Sequence, residues 1–228
     1  MIVAVICNEG IALAADSKST IVVEHIDPET GERKCEASGF VTLSEKLMVT
    51  DGNVVVGITG RDRIKGRKGM DYLKEHLEQR PGMTVKQVAE EVRRIIQENK
   101  DIREMEVMIA GYGKKPWVYV VTSEKPERMR KTDYPCVWWM GQEDIMDRIM
   151  GHRMTRIDGK RKVEVPEYEF MFAVFSLQDA IDLAVLGVEM TQRVMRFQDR
   201  EQTVGGPIDV VAITKEGVTW VARKRLKV

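Results

Sequence analysis

Apolar and polar positions divide this chain into blocks of strand period and helix period. Ile2 to Ile6 and Ile11 to Ala15 are near-continuous apolar runs of strand length, separated by the polar turn Asn8-Glu9-Gly10. Such runs predict strands buried on both faces and joined as a hairpin. Chain ends fray unless something ties them down, so a strand that opens at residue 2 predicts an anchored start. Thr20 to Ile26 and Cys35 to Leu43 flank the turn-rich stretch Asp27-Pro28-Glu29-Thr30-Gly31 and predict a longer hairpin that projects as a flap. Leu47 to Val49 and Val54 to Ile58 flank Asp51-Gly52, a strong two-residue hairpin signal. Together with the opening hairpin they predict a first sheet of at least four strands.

Helical spacing follows. Between Arg61 and Gln79 the apolar positions Ile64, Met70, Leu73 and Leu77 are loosely spaced, and Gly66 and Gly69 weaken the front, so regular helix is expected only in the second half. Thr84 with Gln87 has the pattern of a capping box, and Val85, Val88, Ala89, Val92, Ile95 and Ile96 continue it as an amphipathic stripe. Val107 to Tyr112 and Trp117 to Thr122 read as a strand pair that begins a second sheet. Ser176 caps the strongest helix, with Leu177, Ala180, Ile181, Ala184, Val185, Val188 and Met195 on one face. Ile208 to Thr214 and Val218 to Ala222 form a last hairpin. Trp138 and Trp139 share a strand, so they must face opposite sides.

Antiparallel strands interrupted by paired helices predict an α+β fold in which two antiparallel sheets pack face to face with helices outside, a four-layer αββα sandwich. A parallel nucleotide-binding sheet would need helices between single strands, and no GxGxxG or GxxxxGK[ST] pattern occurs. The whole of 1–228 reads as one domain with two additions, the flap at 21–40 and an inserted arm at 154–168 around Asp158-Gly159.

Composition narrows the partners. Lys plus Arg and Asp plus Glu each number 36, so the formal net charge is zero and no global field points to nucleic acid or to an anionic membrane. No apolar stretch approaches the roughly 20 residues needed to span a bilayer, and the opening run lacks a basic flank. The three cysteines Cys7, Cys35 and Cys136 lie far apart without a CxxC pair, which fits a reducing, cytoplasmic setting and argues against a zinc site. His25, His76 and His152 share no ligand spacing, so neither a metal nor any other cofactor is expected.

Four blocks in order then become specific: IVAVICNEGIALAAD followed by Ser17, SEKLMVTDGNVVVGITG leading into a helix, the strand EVMIAGY, and TVGGPIDVVAITKEG after a long helix. Together they resemble the proteasome β-type family of N-terminal nucleophile hydrolases over nearly the whole chain. The resemblance implies the family's αββα fold, a homo-oligomeric ring or shell, and other proteasome-type subunits as partners. It also implies threonine-type peptide hydrolysis, in which the α-amine of an N-terminal Thr, Ser or Cys serves as general base for its own side chain, a Lys tunes the proton affinities and an Asp steadies the Lys.

Block by block, the resemblance sets Asp16 on the family's Asp and Lys46 on its catalytic Lys. Met1 falls one place beyond the nucleophile position, so no residue of this sequence fills that place, and removal of Met1 would leave Ile2. Gly57 to Gly60 falls near the family's oxyanion glycine. The Ser-Gly pair after the long helix corresponds to Val204-Gly205, the preceding Asp to Glu201 or, with a shift, Asp199, and the Gly-Ser-Gly turn to Gly141-Gln142-Glu143. Two hydroxyls that orient the amine in the family are thus replaced.

Other residues have plainer readings. Asp16 and Lys46 fit a buried ion pair kept by the fold, and Cys7, on an apolar background, fits a buried inert thiol. Ser17 and Thr20 follow Asp16 closely and could face a cleft. The arm carries Arg153, Arg156, Lys160, Arg161 and Lys162 without interleaved aromatics, which reads as a solvated hairpin more than a nucleic-acid surface. The expected function is a self-assembling proteasome-like subunit without peptidase activity. Two alternatives stand beside it: an atypical peptidase or amidase using another nucleophile with Lys46 and Asp16, and a binding module acting through flap and arm.

Overall fold

A computed structural model describes residues 1–26, 33–99, 102–123, 129–150, 155–158, 161–164 and 169–224. The chain is a mixed α+β protein with two large antiparallel sheets, short two-stranded ribbons and, among the described residues, four α-helices. In chain order the first part holds β1 (Ile2–Ile6), β2 (Ile11–Asp16), β3 (Ser19–Ile26), β4 (Arg33–Val41), β5 (Leu47–Val49), β6 (Val54–Gly60), β7 (Arg63–Ile64) and β8 (Arg67–Lys68). Next come α1 (Gly69–Glu78), α2 (Val85–Glu98), β9 (Met105–Tyr112), β10 (Pro116–Thr122), β11 (Met129–Thr132), β12 (Cys136–Met140) and α3 (Asp144–Met150). The chain closes with β13 (Thr155–Asp158), β14 (Arg161–Glu164), a short 3-10 turn at Phe172–Val174, α4 (Leu177–Met195), β15 (Ile208–Thr214) and β16 (Gly217–Ala222).

The first large sheet runs β12-β1-β2-β15-β16 and the second β11-β10-β9-β6-β5. Strand alternation explains why β1 and β2 are apolar throughout. Ile2, Ala4, Ile6, Ile11 and Leu13 meet Val55, Met108, Ala110 and Val120 of the second sheet. Val3, Val5, Ala12 and Ala14 turn the other way, onto Ile145 and Met146 of α3 and Ala180, Ala184 and Val188 of α4. A third core lies between the far face of the second sheet, with Val54, Val56, Ile58, Val107 and Ile109, and the apolar stripes of α1 and α2. Trp138 joins the core between the sheets and Trp139 the core under α4, as the period of two requires.

Local chemistry fixes the helix starts. Thr84 Oγ1 accepts the Gln87 N–H at 3.4 Å and Gln87 Oε1 accepts the Thr84 N–H at 2.9 Å, a reciprocal capping box. Ser176 and Asp179 form a second box at α4, and the Glu9 carboxylate in the β1–β2 turn accepts the Leu177 N–H at 2.7 Å. An anion thereby sits at the positive end of the helix and ties it to the first hairpin.

Two expectations need correction. The opening hairpin and the β5–β6 hairpin do not share a sheet: β2 pairs with β15 near the end of the chain, whereas β6 pairs with β9. A strand buried on both faces shows its length in sequence but not its neighbour, because hydrogen-bonded edges leave no side-chain pattern. The β7–β8 ribbon, β11 and α3 are also additional to the expected elements, each being too short for a clear period. The helix expected from Arg61 onward begins at Gly69, in agreement with the weakening glycines. The flap and arm tips, 27–32 and 159–160, lie outside the described residues.

Leu73 on α1 is fully buried among these contacts. Leu73→Ala should destabilise the protein by about 2–5 kcal/mol, read as a lower urea midpoint with an unchanged slope.

Candidate functional site

Hairpin register alone brings the chain's first residue to Asp16. In the antiparallel pair Ile6 lies opposite Ile11 and Ile2 opposite Ala15, so one step further sets Met1 beside Asp16. The Asp16 carboxylate is almost wholly buried, at the end of a strand that is otherwise apolar. Burying a lone anion there would cost several kcal/mol, so it must be matched by donors.

Both oxygens are matched. Oδ1 accepts the Met1 α-amine at 2.6 Å and the Lys46 ammonium at 2.6 Å. Oδ2 accepts the backbone N–H groups of Lys18 at 3.0 Å and of Gly205 at 3.0 Å. Lys46 reaches the carboxylate from the residue before β5, where its carbonyl is held by the Ile58 N–H at 3.0 Å, and only 12% of its side chain is exposed.

The loop before β15 is fastened to the same place. Ser17 donates its N–H to the Gly205 carbonyl at 3.1 Å and its hydroxyl to Pro207 O, while the Ser17 carbonyl accepts Ser44 N–H at 2.8 Å. Lys18 Nζ donates to Gln202 O at 2.5 Å and lies 3.7 Å over the Phe40 ring, joining this loop to the base of the β3–β4 hairpin. On the other side of Met1 stands Gly141, with φ +90°; a Cβ there would lie 3.2 Å from Met1 Cα and 3.4 Å from the amine nitrogen. Glu106 holds that turn by accepting Gly141 N–H at 3.3 Å and the Thr59 hydroxyl at 3.4 Å.

Two cations on one buried carboxylate oxygen exceed its charge, and the amine yields. Burial first, and the Lys46 charge next, lower the Met1 amine from 8.0 to about 5, against the opposing pull of Asp16. For Asp16, burial pushes the carboxyl up, but the amine and Lys46 outweigh it by charge and hydrogen bonding, so the net shift is downward. The amine is therefore a base that is largely unprotonated at neutral pH.

Of the residues singled out in the sequence, Asp16, Lys46 and Gly205 meet, Gly205 through its backbone N–H. Glu201 is exposed and Val204 is buried in the core under α4. Gly57 has a packing reason: a Cβ would come 2.6 Å from Ile2 Cδ1 and 2.9 Å from Leu47 Cδ2, where the sheets press together. Gly60 has another, since it adopts φ +82° and a Cβ would strike Glu104 O at 1.8 Å. Ser17 does not face a cleft: it is fully buried and its hydroxyl is spent on Pro207. Thr20 Oγ1 is buried and has no hydrogen-bond partner.

Cys7 is buried with its thiol pushed up by burial, in keeping with an inert side chain. His76 stacks on Tyr72, 5.2 Å between ring centres, and no group of three or more His, Cys, Asp or Glu side chains suits a metal ion among the described residues. His152, Arg153 and Lys160 lie outside the described residues, and of His25, Cys35, Arg156, Arg161 and Lys162 only the backbone is described. Lys18, Gln202, Thr59 and Glu106 escaped sequence reasoning, and only the closeness of Lys18 to Asp16 offered any signal. No helix among the described residues is long and apolar enough to cross a membrane. No protein-family model matches the chain, and no curated protein matches it in sequence.

The lowered amine sets a pH dependence. Between about pH 5 and 8 the unfolded chain binds the extra proton and the folded chain does not, so stability should rise with pH across that window. The slope should approach one proton, about 1.4 kcal/mol per pH unit at most. Asp16 adds a further loss only as the pH falls below the ordinary carboxylate range, toward its depressed folded value. Urea midpoints measured from pH 5 to 8 on a chain with a free Met1 amine check this; a flat profile would contradict it.

Proposed function

We propose that this protein is a proteasome-like subunit of the αββα N-terminal nucleophile hydrolase architecture, one that assembles with copies of itself and does not cut peptides. The reading is supported by the three stacked cores and by the meeting of Asp16 with Lys46, the two residues that the family resemblance singled out. One observation carries the loss of peptidase activity. The α-amine that meets Asp16 belongs to Met1, whose side chain runs into the core under α4, and no hydroxyl or thiol among the described residues bonds to the Asp16–Lys46 pair. In this role the pair anchors the first strand.

Exposed apolar side chains support assembly. Ile21, Val23, Phe40 and Val41 lie 40–48% exposed on the β3–β4 hairpin, and Leu186 and Phe197 are more exposed still on and after α4.

A second reading draws on the amine itself. Unprotonated at neutral pH and beside an ammonium group, it has the properties of a general base, which an atypical amidase of this fold could apply to a nucleophile supplied from elsewhere.

Intact-mass measurement after treatment with an epoxyketone, together with light scattering on the eluting protein, separates the readings. The non-catalytic subunit should stay unmodified and elute as a species of many copies. A stoichiometric adduct that disappears in Lys46→Ala would support the amidase, and an unmodified monomer would remove the assembly half of the proposal.

A further inference from the structure

The β7–β8 ribbon carries more positive charge than the fold uses. Five of the eight residues from Arg61 to Lys68 are cationic, and Arg63, Lys65, Arg67 and Lys68 are exposed. Two of the five are matched at the surface, Arg61 by Glu104 at 3.0 Å and Arg67 by Glu75 at 2.7 Å. Arg63, Lys65 and Lys68 form no ion pair with an acidic side chain among the described residues. Lys68 lies close enough to Asp62 to act on its charge, but Asp62 Oδ1 is committed to the Met70 N–H at 3.1 Å, where it caps α1.

Two features of the ribbon work against its own stability. Arg63 and Lys68 stand directly opposite each other in the antiparallel register, and like charges so placed repel. The tip is Lys65-Gly66, with φ +49° and +76°, a turn whose two central residues take the left-handed region that Asn, Asp or Gly enters with less strain than Lys. Each feature puts a cation where another residue would serve the fold better. The ribbon is nevertheless held firmly. Ile64 is fully buried, Arg61 donates its N–H to Glu104 O at 3.0 Å, and the Arg63 guanidinium braces the turn by donating to Gly66 O at 3.0 Å. Cations on a fixed support lose little freedom when an anion binds.

The surroundings select among anions. Tyr72, the ring beside the ribbon, stacks on His76 at 5.2 Å and lies under Lys65 at 5.7 Å and Arg67 at 5.9 Å, so it is already engaged and is not offered to a nucleic-acid base. An extended peptide sets alternate side chains on one face about 7 Å apart, which suits the two-residue step from Arg63 to Lys65. We infer that the ribbon is a docking surface for an extended segment of another protein rich in Glu or Asp, whose carboxylates are held by Arg63, Lys65 and Lys68. The inference goes beyond the proposed function and uses none of the side chains of the Asp16 site.

Fluorescence anisotropy of a labelled hexaglutamate peptide with the full chain tests it, beside a mixed-sequence single-stranded DNA of the same net charge. The peptide should bind at about 20 mM salt and weaken at least about fivefold at about 200 mM. Lys68→Glu should weaken binding at least about tenfold and, by turning a repulsive pair into an attractive one, leave the urea midpoint at or above that of the unaltered chain. Lys65→Gly should lower affinity about threefold and also keep or raise the midpoint. A lower midpoint in Lys68→Glu would show that this lysine serves the fold and would overturn the inference. So would no peptide binding at low salt, unchanged binding by Lys68→Glu, or tighter binding of the DNA than of the peptide.

Discussion

One buried carboxylate sets the terms for this structure. Asp16 ends a strand whose other members are all apolar and packed on both faces, and it is almost wholly buried, so bulk solvent does little to solvate its charge. The protein must supply every donor, and it draws them from four separate stretches of chain: the first residue, the turn after β2, the residue before β5 and the loop before β15. Each stretch is held because the anion would otherwise be left unpaired, a state costing several kcal/mol.

The layered packing is what makes that constraint severe. Facing the second sheet, β1 and β2 offer Ile2, Ile6, Ile11 and Leu13; facing α4 they offer Val3, Val5 and small alanines. Gly57 lets the sheets approach until Ile2 lies where a side chain would begin. Both faces of β1 and β2 are sealed, and the Asp16 cluster sits at an end of β2. Lys46 and Lys18 keep partial contact with solvent, which gives the cluster a charged rim.

The main strands and helices were legible in sequence and the pairing of the strands was not. Near-continuous apolar runs placed β1 and β2, the Asp51-Gly52 turn signal placed β6, and amphipathic stripes placed α2 and α4, because burial acts on side chains, and side chains are what a sequence spells out. The capping box at Thr84 and the cap at Ser176 were legible for the same reason, whereas the return bond from Asp179 that makes the second a box was not read. Which strands pair is decided by backbone edges, so the partnership of β2 with β15 had no sequence signature. The site divides along the same line. Asp16 and Lys46 were picked out through the family resemblance, which works on side-chain identity, whereas the Gly205 and Lys18 N–H groups that complete the carboxylate are main-chain donors which any residue but proline provides.

That division has an energetic consequence. The donors on Oδ2 are backbone groups, which substitution scarcely touches, so they persist as long as the loop stays in place. The donors on Oδ1 are a lysine and a chain-end amine, each of which a single covalent change removes. A carboxylate buried among apolar strands is only as stable as its weakest set of partners, and here that set lies at the first residue. The opening strand is therefore more than the edge of a hairpin: its amine faces Asp16, its side chain fills the core under α4, and its backbone rests on Gly141. The loop before β15, 189 residues beyond Asp16, hangs on the same carboxylate through Gly205, so two distant stretches of the chain are coupled by one side chain.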